Sequence, residues 1–218
     1  MPSLPYQEDG VIEAPHIVIL GAGASIAAYN DWGCIGNILP SMQNVIDTLS
    51  LRHEVTGAGY NPDTQDFEDI YDDLASKGHH IDLKNLLESR VYSYFAEMTL
   101  PETPTIYDYL ILALREKDII ATFNWDPFLL QAYRRNQPIV GNRGPKISFL
   151  HGNVMVGVCR KDRVAGINGE VCLTCGDQFK PTKLLYPVKQ KNYSDDLFIK
   201  GEWDRLISLI PLSQVSLA

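Results

Sequence analysis

Three short, mostly apolar runs stand out along the chain. They cover 17–20, 118–123 and 146–150, and a glycine, an asparagine and a histidine respectively follow them. Apolar runs of this length are typical of strands that are buried on both faces, as in a parallel sheet. The pattern therefore predicts three buried strands.

Between the first two predicted strands, the apolar residues recur with the spacing of helices. This spacing predicts helices over 41–51, 66–77 and 83–98, and a fourth helix over 105–114. Leucine and aromatic residues on one side of such helices are core residues far more often than cofactor ligands. We interpret 31–117 as a helical insertion or cap.

Helical signals also follow the second and third predicted strands. Pro127 is expected in the first turn of a helix, which places Asp126 near the N-cap. Another helix is predicted from Ser194 to Pro211, with apolar positions at 199, 203, 206, 207 and 210. Strands that alternate with helices in this way predict an α/β fold with a parallel sheet.

Composition and charge narrow the function classes. The chain has 218 residues, of which 45% are hydrophobic and 21% charged, as in an ordinary soluble globular domain. Its net charge of −8 argues against nucleic acid as the main ligand. No apolar run approaches the roughly 18 residues of a membrane span, and the first 15 residues do not resemble a secretion signal, so we expect a cytoplasmic protein without membrane contact.

The turn after the first predicted strand has the composition of a phosphate-binding loop. Glycines allow a ligand to approach the backbone closely, and the following helix N-terminus offers free N–H groups and a positive dipole end. A tight strand-to-helix turn without a ligand is the alternative. Ile26 occupies the position of the third glycine in the usual dinucleotide fingerprint, which argues against a hydride-transfer dehydrogenase. The candidate phosphate-binding residues are Gly21, Ala22, Gly23, Ala24 and Ser25.

Polar residues directly follow the other two predicted strands. Asn124 and Asp126 come after the second strand, and His151 comes after the third. Ligands of parallel sheets bind beyond the carboxyl ends of the strands, so we expect these side chains to converge with Gly21 on one crevice. Taken singly, Asp126 is equally well explained as a helix cap, Asn124 as a turn residue and His151 as a structural histidine.

These three segments together resemble motifs of the SIR2 (sirtuin-like) family. They are Gly21–Ser25, Thr122–Asp126 and Leu150–Gly152, and the closest resemblance is to the bacterial SIR2-like NAD-hydrolase domains of antiphage defence proteins. The segment Asp66–Asp69 and the tract 185–203 are similar to further parts of that branch. The resemblance covers about 16–210 and implies a Rossmann-like parallel sheet with helices on both faces, within a single domain over 1–218.

The resemblance also implies an activity and roles for the site residues. Gly21–Ser25 would hold the pyrophosphate of NAD, Asn124 and Asp126 would position the nicotinamide ribose, and His151 would be the general base with a pKa near neutrality. The implied reaction is hydrolysis of NAD to nicotinamide and ADP-ribose in antiphage defence. NAD-dependent protein deacylation and a non-catalytic NAD or ADP-ribose sensor are the alternatives, and the expected partners are NAD and either a defence-system protein or further copies of the chain.

The cysteines depart from the family pattern. In a reducing compartment four cysteines are expected to be free thiols or metal ligands, and sirtuins hold zinc with two Cys-x-x-Cys pairs. Here Cys172 and Cys175 form one pair, whereas Cys159 stands alone with Asp162 at the second position. The small module over 154–181 therefore either binds metal through Cys159, Cys172, Cys175 and a fourth group such as Asp162, or packs without metal. Because one cysteine is missing, we expect little or no zinc.

Two further expectations concern the remaining cysteine and the end of the sequence. Cys34 stands apart from the others and is interpreted as a small apolar residue. In the family another strand and a nucleotide-contacting loop follow the last predicted helix. We expect these to be missing, with 215–218 as the start of the absent strand.

Overall fold

A parallel sheet with helices on both faces forms the centre of the protein. The computed structural model describes residues 13–30, 39–189 and 191–217. The segment 31–38 at the start of the predicted insertion, which includes Cys34, lies outside these residues. None of the helices within the described ranges combines the length and the apolar character needed to cross a bilayer.

The three predicted strands are all present and lie side by side in one sheet. They are β1 (His16–Leu20), β2 (Ile119–Thr122) and β3 (Lys146–Phe149). Each pairs in parallel with its neighbour, so that Leu20 lies opposite Thr122 and Thr122 lies opposite Phe149. Their carboxyl ends therefore meet at one edge of the sheet, as predicted.

A fourth strand, β7, extends the sheet on the other side of β1. It covers Gln214–Leu217 and pairs with β1 in parallel, which gives the order β3-β2-β1-β7. The segment 215–217, which the sequence suggests is the start of an absent strand, thus lies within a paired strand. The backbone of β7 gives β1 a neighbour on both sides.

Alternate residues of the strands face two separate cores. Val18 and Ile120 pack against the helices of the insertion, whereas Ile17 and Ile119 pack on the opposite face with Leu206. Because side chains alternate along a strand, both faces of the sheet are apolar and both are covered. The predicted α/β class with helices on both faces is confirmed.

Helices occupy most of the region between β1 and β2. Five of them follow α1 (Ala22–Asn30): they are α2 (Val45–Thr48), α3 (Arg52–Gly57), α4 (Phe67–Lys77), α5 (Ile81–Ala96) and α6 (Ile106–Ala113). The prediction of one helix over 41–51 is wrong. Ser50 has a φ of 55°, which breaks the chain direction between α2 and α3.

Local capping signals correctly locate the ends of two of these helices. Asp66 accepts a hydrogen bond from the Asp69 amide at the start of α4, and Gly78 ends that helix in a left-handed conformation. At the start of α6, the Asp108 carboxylate accepts hydrogen bonds from the amide and hydroxyl of Thr105. Hydrogen bonds between neighbouring residues thus fix the start of both helices.

Two more helices pack against the sheet after β2. They are α7 (Phe128–Val140) and α8 (Leu197–Leu209). The predicted apolar side of α8 is only partly right, because Ile207 and Ile210 are exposed while Glu202 is buried. The Glu202 carboxylate accepts a hydrogen bond from the Phe149 amide at 2.8 Å, which provides a polar partner for the buried charge.

The cysteine-containing module is a small antiparallel sheet. Its strands are β4 (Val156–Cys159), β5 (Val164–Ile167) and β6 (Lys180–Pro181), in the order β5-β4-β6. A Cβ atom added to Gly157 would lie 2.8 Å from the Cβ of Phe179, and the Phe179 ring covers Gly166 still more closely. The small module therefore packs around one aromatic side chain.

Candidate functional site

The turns after β1, β2 and β3 meet at one cavity of about 210 Å³. Ala22, Asn124, Asp126 and His151 line this cavity, together with apolar residues of the helical insertion. Two larger, open depressions have volumes of about 720 and 750 Å³ and lie at the opposite end of the strands, where Lys117 lines both. Neither is lined by a predicted site residue. The structure thus brings together the residues that the sequence places after separate strands.

A buried hydrogen-bond network joins these turns. The Ser25 hydroxyl lies 2.6 Å from the Asp126 carboxylate, 2.7 Å from the Tyr107 hydroxyl and 2.8 Å from the Asn124 amide nitrogen. Ser25, Tyr107 and Asp126 are almost completely buried. The network therefore links the helix after β1, the helical insertion and the turn after β2.

Counting donors and acceptors fixes the direction of each bond. An ionised Asp126 only accepts, so the single hydroxyl proton of Ser25 is donated to it, and Tyr107 must then donate to Ser25. The Asn124 amide also lies 2.8 Å from the Gly21 carbonyl oxygen, which accepts and cannot donate. The Asn124 NH₂ group is therefore turned toward Gly21 and Ser25, and its Oδ1 is left as the acceptor available to a ligand.

Burial changes the acidity of Asp126. Desolvation raises the pKa of this carboxyl group to about 6, although hydrogen bonds from the Ser25 hydroxyl and the Phe128 amide oppose the shift. The group is mostly ionised at neutral pH, with a proton affinity far above that of an exposed aspartate. Pro127 is the N-cap of α7 and not its first helical residue as expected, and Asp126, which is adjacent to it, accepts a hydrogen bond from the Phe128 amide at 3.2 Å. Asp126 is therefore near the cap, as predicted, and it also lines the cavity.

The glycine turn is open to solvent. Gly21, Ala22 and Gly23 are exposed, and a Cβ atom at either glycine would meet nothing within 4 Å. Neither glycine has a positive φ, so backbone strain does not require them. Packing within the described residues does not require glycine at these positions either. The space beside the N-terminus of α1 is therefore free. The Ser25 hydroxyl, by contrast, is fully occupied by protein partners.

His151 lies in an aromatic environment at the end of β3. Its ring is 4.9 Å from the Phe123 ring and 6.1 Å from the Tyr193 ring, measured between centroids. Burial, together with the positive charge of Lys191, lowers the pKa of His151 to about 4. The expectation of a pKa near neutrality is therefore wrong, because the charged imidazolium would be desolvated; the ring is neutral at pH 7.

The residue after His151 fixes how the histidine is presented. Gly152 has a φ of 76°, and a Cβ atom there would lie 2.1 Å from the Lys183 carbonyl oxygen. The Leu185 amide in turn donates to the His151 carbonyl oxygen at 2.9 Å. Only glycine fits this turn, which gives a structural reason for the glycine after His151.

Three residues that border the site carry no clear signal in the sequence. Trp125 and Lys191 line the cavity, and Tyr107 joins the Ser25 network from α6. In the sequence, Trp125 is only the residue between Asn124 and Asp126. Tyr107 is 82 residues from Ser25 in sequence, and only the packing of the insertion on the sheet reveals the contact.

Four potential metal ligands converge in the small module. The donor atoms of Cys159, Asp162, Cys172 and Cys175 all lie within 4.8 Å of one another. The Sγ atoms of Cys159 and Cys175 are 3.4 Å apart, and the Cys172 Sγ is 3.2 Å from Asp162 Oδ2. Ligands about 2.3 Å from a tetrahedral zinc ion are separated by similar distances, so this donor set fits zinc.

No protein-family model and no curated protein matches this sequence. Among solved structures, a Sir2 homologue in complex with NAD is 13% identical, and the match covers 94% of this chain and 68% of that one with a TM-score of 0.47. Sir2Tm bound to a propionylated peptide is 17% identical, with 90% and 66% of the two chains covered and a TM-score of 0.33. The chain thus spans about two thirds of the length of these two proteins.

Proposed function

We propose that this protein is a SIR2-like enzyme that hydrolyses NAD to nicotinamide and ADP-ribose. The observation that carries the proposal is the convergence of the glycine turn, Asn124, Asp126 and His151 on one cavity at the carboxyl ends of three parallel strands. This is where ligands of open α/β sheets bind. The sequence motifs that resemble the SIR2 family are the segments that form this edge.

The groups that the site leaves free are complementary to parts of NAD. The pyrophosphate lies against the exposed N-terminus of α1, where Gly21 and Gly23 leave room and the first N–H groups have no partner within the helix. Asn124 Oδ1 accepts a hydrogen bond from a hydroxyl of the nicotinamide ribose. The cavity is smaller than the roughly 300 Å³ typical of a complete ligand site, so it holds only the nicotinamide end of the dinucleotide.

The proposed chemistry uses the neutral state of His151. The bond between the ribose carbon and the pyridinium nitrogen breaks, and its electron pair leaves with nicotinamide. Water forms the new carbon–oxygen bond and gives its proton to the His151 imidazole, which then releases the proton to solvent. The Asp126 carboxylate, which lines the same cavity, stabilises the positive charge that develops on the ribose.

A structural zinc site completes the proposal. Little or no zinc is expected from the sequence because one cysteine is missing. Asp162 takes the place of that cysteine as the fourth ligand, and the three thiols are the other ligands. A Cys₃Asp set is full without water, which suits a structural and not a catalytic ion. When bound, zinc would fix the loop between β4 and β5 to the segment that carries Cys172 and Cys175.

The helical insertion favours hydrolysis over deacylation. Leu39, Met42 and Phe95 form one wall of the cavity, and they belong to the insertion. A deacylase must hold an acyl-lysine peptide in extended form beside this site. A walled cavity of this size admits water and one end of a dinucleotide more readily than an additional peptide strand.

The experiment that separates the candidate functions follows NAD turnover with and without an acetyl-lysine peptide. We expect nicotinamide release that is independent of the peptide, with ADP-ribose as the product. O-acetyl-ADP-ribose formed only with the peptide would identify a deacylase. Measurable NAD binding without turnover would identify a sensor.

The biological role that we propose is antiphage defence by depletion of NAD. It follows from the resemblance of Asp66–Asp69 and of 185–203 to the defence branch. In the structure, Asp66 caps α4, Phe67 is buried in the core, and Tyr193 lies beside the His151 ring. Expression of the protein should lower cellular NAD during phage infection, and a defence-system protein or further copies of the chain are the partners to test.

A further inference from the structure

Trp203 of α8 connects the segments that surround His151 without lining the cavity itself. Its indole N–H donates a hydrogen bond at 3.0 Å to the carbonyl oxygen of Leu150, the residue before His151. Its ring lies 6.0 Å from the Phe123 ring and 4.9 Å from the Tyr193 ring, measured between centroids. The proposed mechanism assigns no role to this side chain.

The two rings that Trp203 contacts are also the rings that flank the imidazole of His151. Phe123 meets the imidazole edge-on at 4.9 Å, and Tyr193 stacks on it at 6.1 Å with 27° between the ring planes. Phe123 follows β2, His151 follows β3, and Tyr193 precedes α8. One indole therefore joins three parts of the chain around the histidine, with the geometry of packed aromatic pairs.

The residue before Trp203 strengthens this connection. The Glu202 carboxylate accepts a hydrogen bond from the Phe149 amide at 2.8 Å. Consecutive residues of α8 thus bind the backbone of consecutive residues, Phe149 and Leu150, at the end of β3. In this way α8 holds the end of β3 directly before the turn that carries His151.

We propose that Trp203 is a positioning residue that holds the His151 imidazole in place between Phe123 and Tyr193 for proton transfer. This inference rests on the proposed NAD hydrolase function, in which His151 accepts a proton from water. A base must lie within hydrogen-bond reach of the proton that it takes, and a misplacement of about 1 Å can lower a rate about 100-fold. Loss of the indole should therefore lower kcat and leave KM for NAD nearly unchanged.

The same position keeps His151 away from water. In the described ranges, Lys191 and the Tyr193 hydroxyl are ionisable groups on the segment before α8, and Asp126 lines the same cavity as His151. Burial, together with Lys191, lowers the pKa of His151 to about 4. When the flanking rings are no longer held, water reaches the imidazole and the pKa rises toward the ordinary value of 6.5.

The test combines NAD kinetics at pH 8 with NMR titration of the His151 side chain in the unmodified protein, Trp203→Leu and Trp203→Phe. At pH 8 the imidazole is neutral in every variant, so kcat reports its position and not its charge. We expect Trp203→Leu to lower kcat about tenfold, to leave KM unchanged and to raise the pKa of His151 by about 1. Trp203→Phe retains an aromatic ring and should show smaller effects on both quantities.

Leu206→Ala is the matched control, because Leu206 anchors the same helix on the sheet beside Ile17 and Ile119. It should lower the melting temperature without changing kcat or the pKa of His151. Equal effects of Leu206→Ala and Trp203→Leu on kcat and on this pKa would show that any loosening of α8 suffices, and would overturn the inference. Unchanged values in a folded Trp203→Leu variant would overturn it as well.

Two further readouts separate this inference from the proposed function. In the unmodified protein the Trp203 indole N–H should exchange slowly with D₂O, and exchange as fast as that of a free indole would contradict its bond to Leu150. NAD cleavage with a kcat and a His151 pKa that do not depend on Trp203 would reject the positioning role and leave the hydrolase intact. A His151 pKa that depends on Trp203 in a protein that does not cleave NAD would support the placement of the ring and reject the hydrolase.

Discussion

The Ser25 hydroxyl shows how single residues organise the site. Its one proton goes to Asp126, and its lone pairs accept from Tyr107 and Asn124, so the hydroxyl has no capacity left for a ligand. We propose that it orients Asn124 and that the exposed backbone of the turn binds the phosphate. Replacing Asn124 with alanine should therefore affect substrate binding more directly than a change at Ser25.

Asp126→Asn should stabilise the protein at alkaline pH. The pKa of Asp126 is about 6 in the folded protein against 3.8 for an exposed aspartate, so the stability from this group is present below about pH 4 and is lost as the pH rises through 6. An amide avoids the desolvated charge: its Oδ1 accepts from the Phe128 amide, and its NH₂ group faces Ser25, whose proton then turns to Tyr107. We expect a gain of up to about 3 kcal/mol in unfolding free energy at pH 8.

Urea unfolding at pH 8 and at pH 4.5 measures this gain. It should fall to about a third at the lower pH, where the carboxyl group is protonated in the folded protein but still mostly ionised in the unfolded chain. Asp82→Asn changes a solvent-exposed carboxylate and is the control. An Asp126→Asn effect that is the same at both pH values would contradict the assigned cause.

Tyr107→Phe should lower activity through Asn124. The substitution removes the donor that lies 2.7 Å from the Ser25 hydroxyl and leaves the aromatic ring in place. We expect a loss of about 1 kcal/mol in stability and about tenfold in kcat/KM for NAD, because Asn124 is held less firmly. Tyr109→Phe, on the exposed side of the same helix, should change neither quantity. Full activity in Tyr107→Phe would show that Asn124 does not depend on the network.

The sequence predicts which residues meet at the site better than it predicts their chemical state. Gly21, Asn124 and His151 each follow a recognisable strand, so their convergence follows from the parallel sheet. The low pKa of His151 depends on burial beside Phe123 and on Lys191, which lie elsewhere in the chain. Such long-range surroundings leave no local pattern in the sequence.

Among the elements, those with strong local signals are predicted most accurately. The buried strands and the caps at Asp66 and Thr105 follow from nearby residues. The break at Ser50 has no such signal, because serine rarely adopts a positive φ. On α8, apolar spacing alone could not show that Glu202 is buried through its bond to the Phe149 amide.

The cysteine module should contain one zinc ion per chain. Elemental analysis of the purified protein measures the content, and both Cys172→Ser and Asp162→Ala should lose the metal and lower the melting temperature. Asp177→Asn, which lies in the same loop but outside the four donors, should retain it. A metal-free protein whose melting temperature is unaffected by a chelator would show that the module packs without zinc.

At the scale of the whole molecule, the sheet, the insertion and the turns contribute different parts of the site. The sheet aligns three turns at one edge, the insertion walls the cavity and supplies Tyr107, and the segment after β6 adds Leu185 and Pro187. The α/β class and the helical insertion are predictable from periodicity. The closing of the insertion over the strands requires packing that only the folded chain shows.

The most direct test of the account is the rate of nicotinamide release from NAD, followed by chromatography for the unmodified protein and for His151→Ala. We expect peptide-independent release that falls by about 10² to 10⁴ in the variant, because the proton acceptor is removed from the cavity. His53→Ala changes an exposed histidine of α3 and should leave the rate unchanged. Undiminished release by a folded His151→Ala variant, or no release by the unmodified protein, would contradict the account.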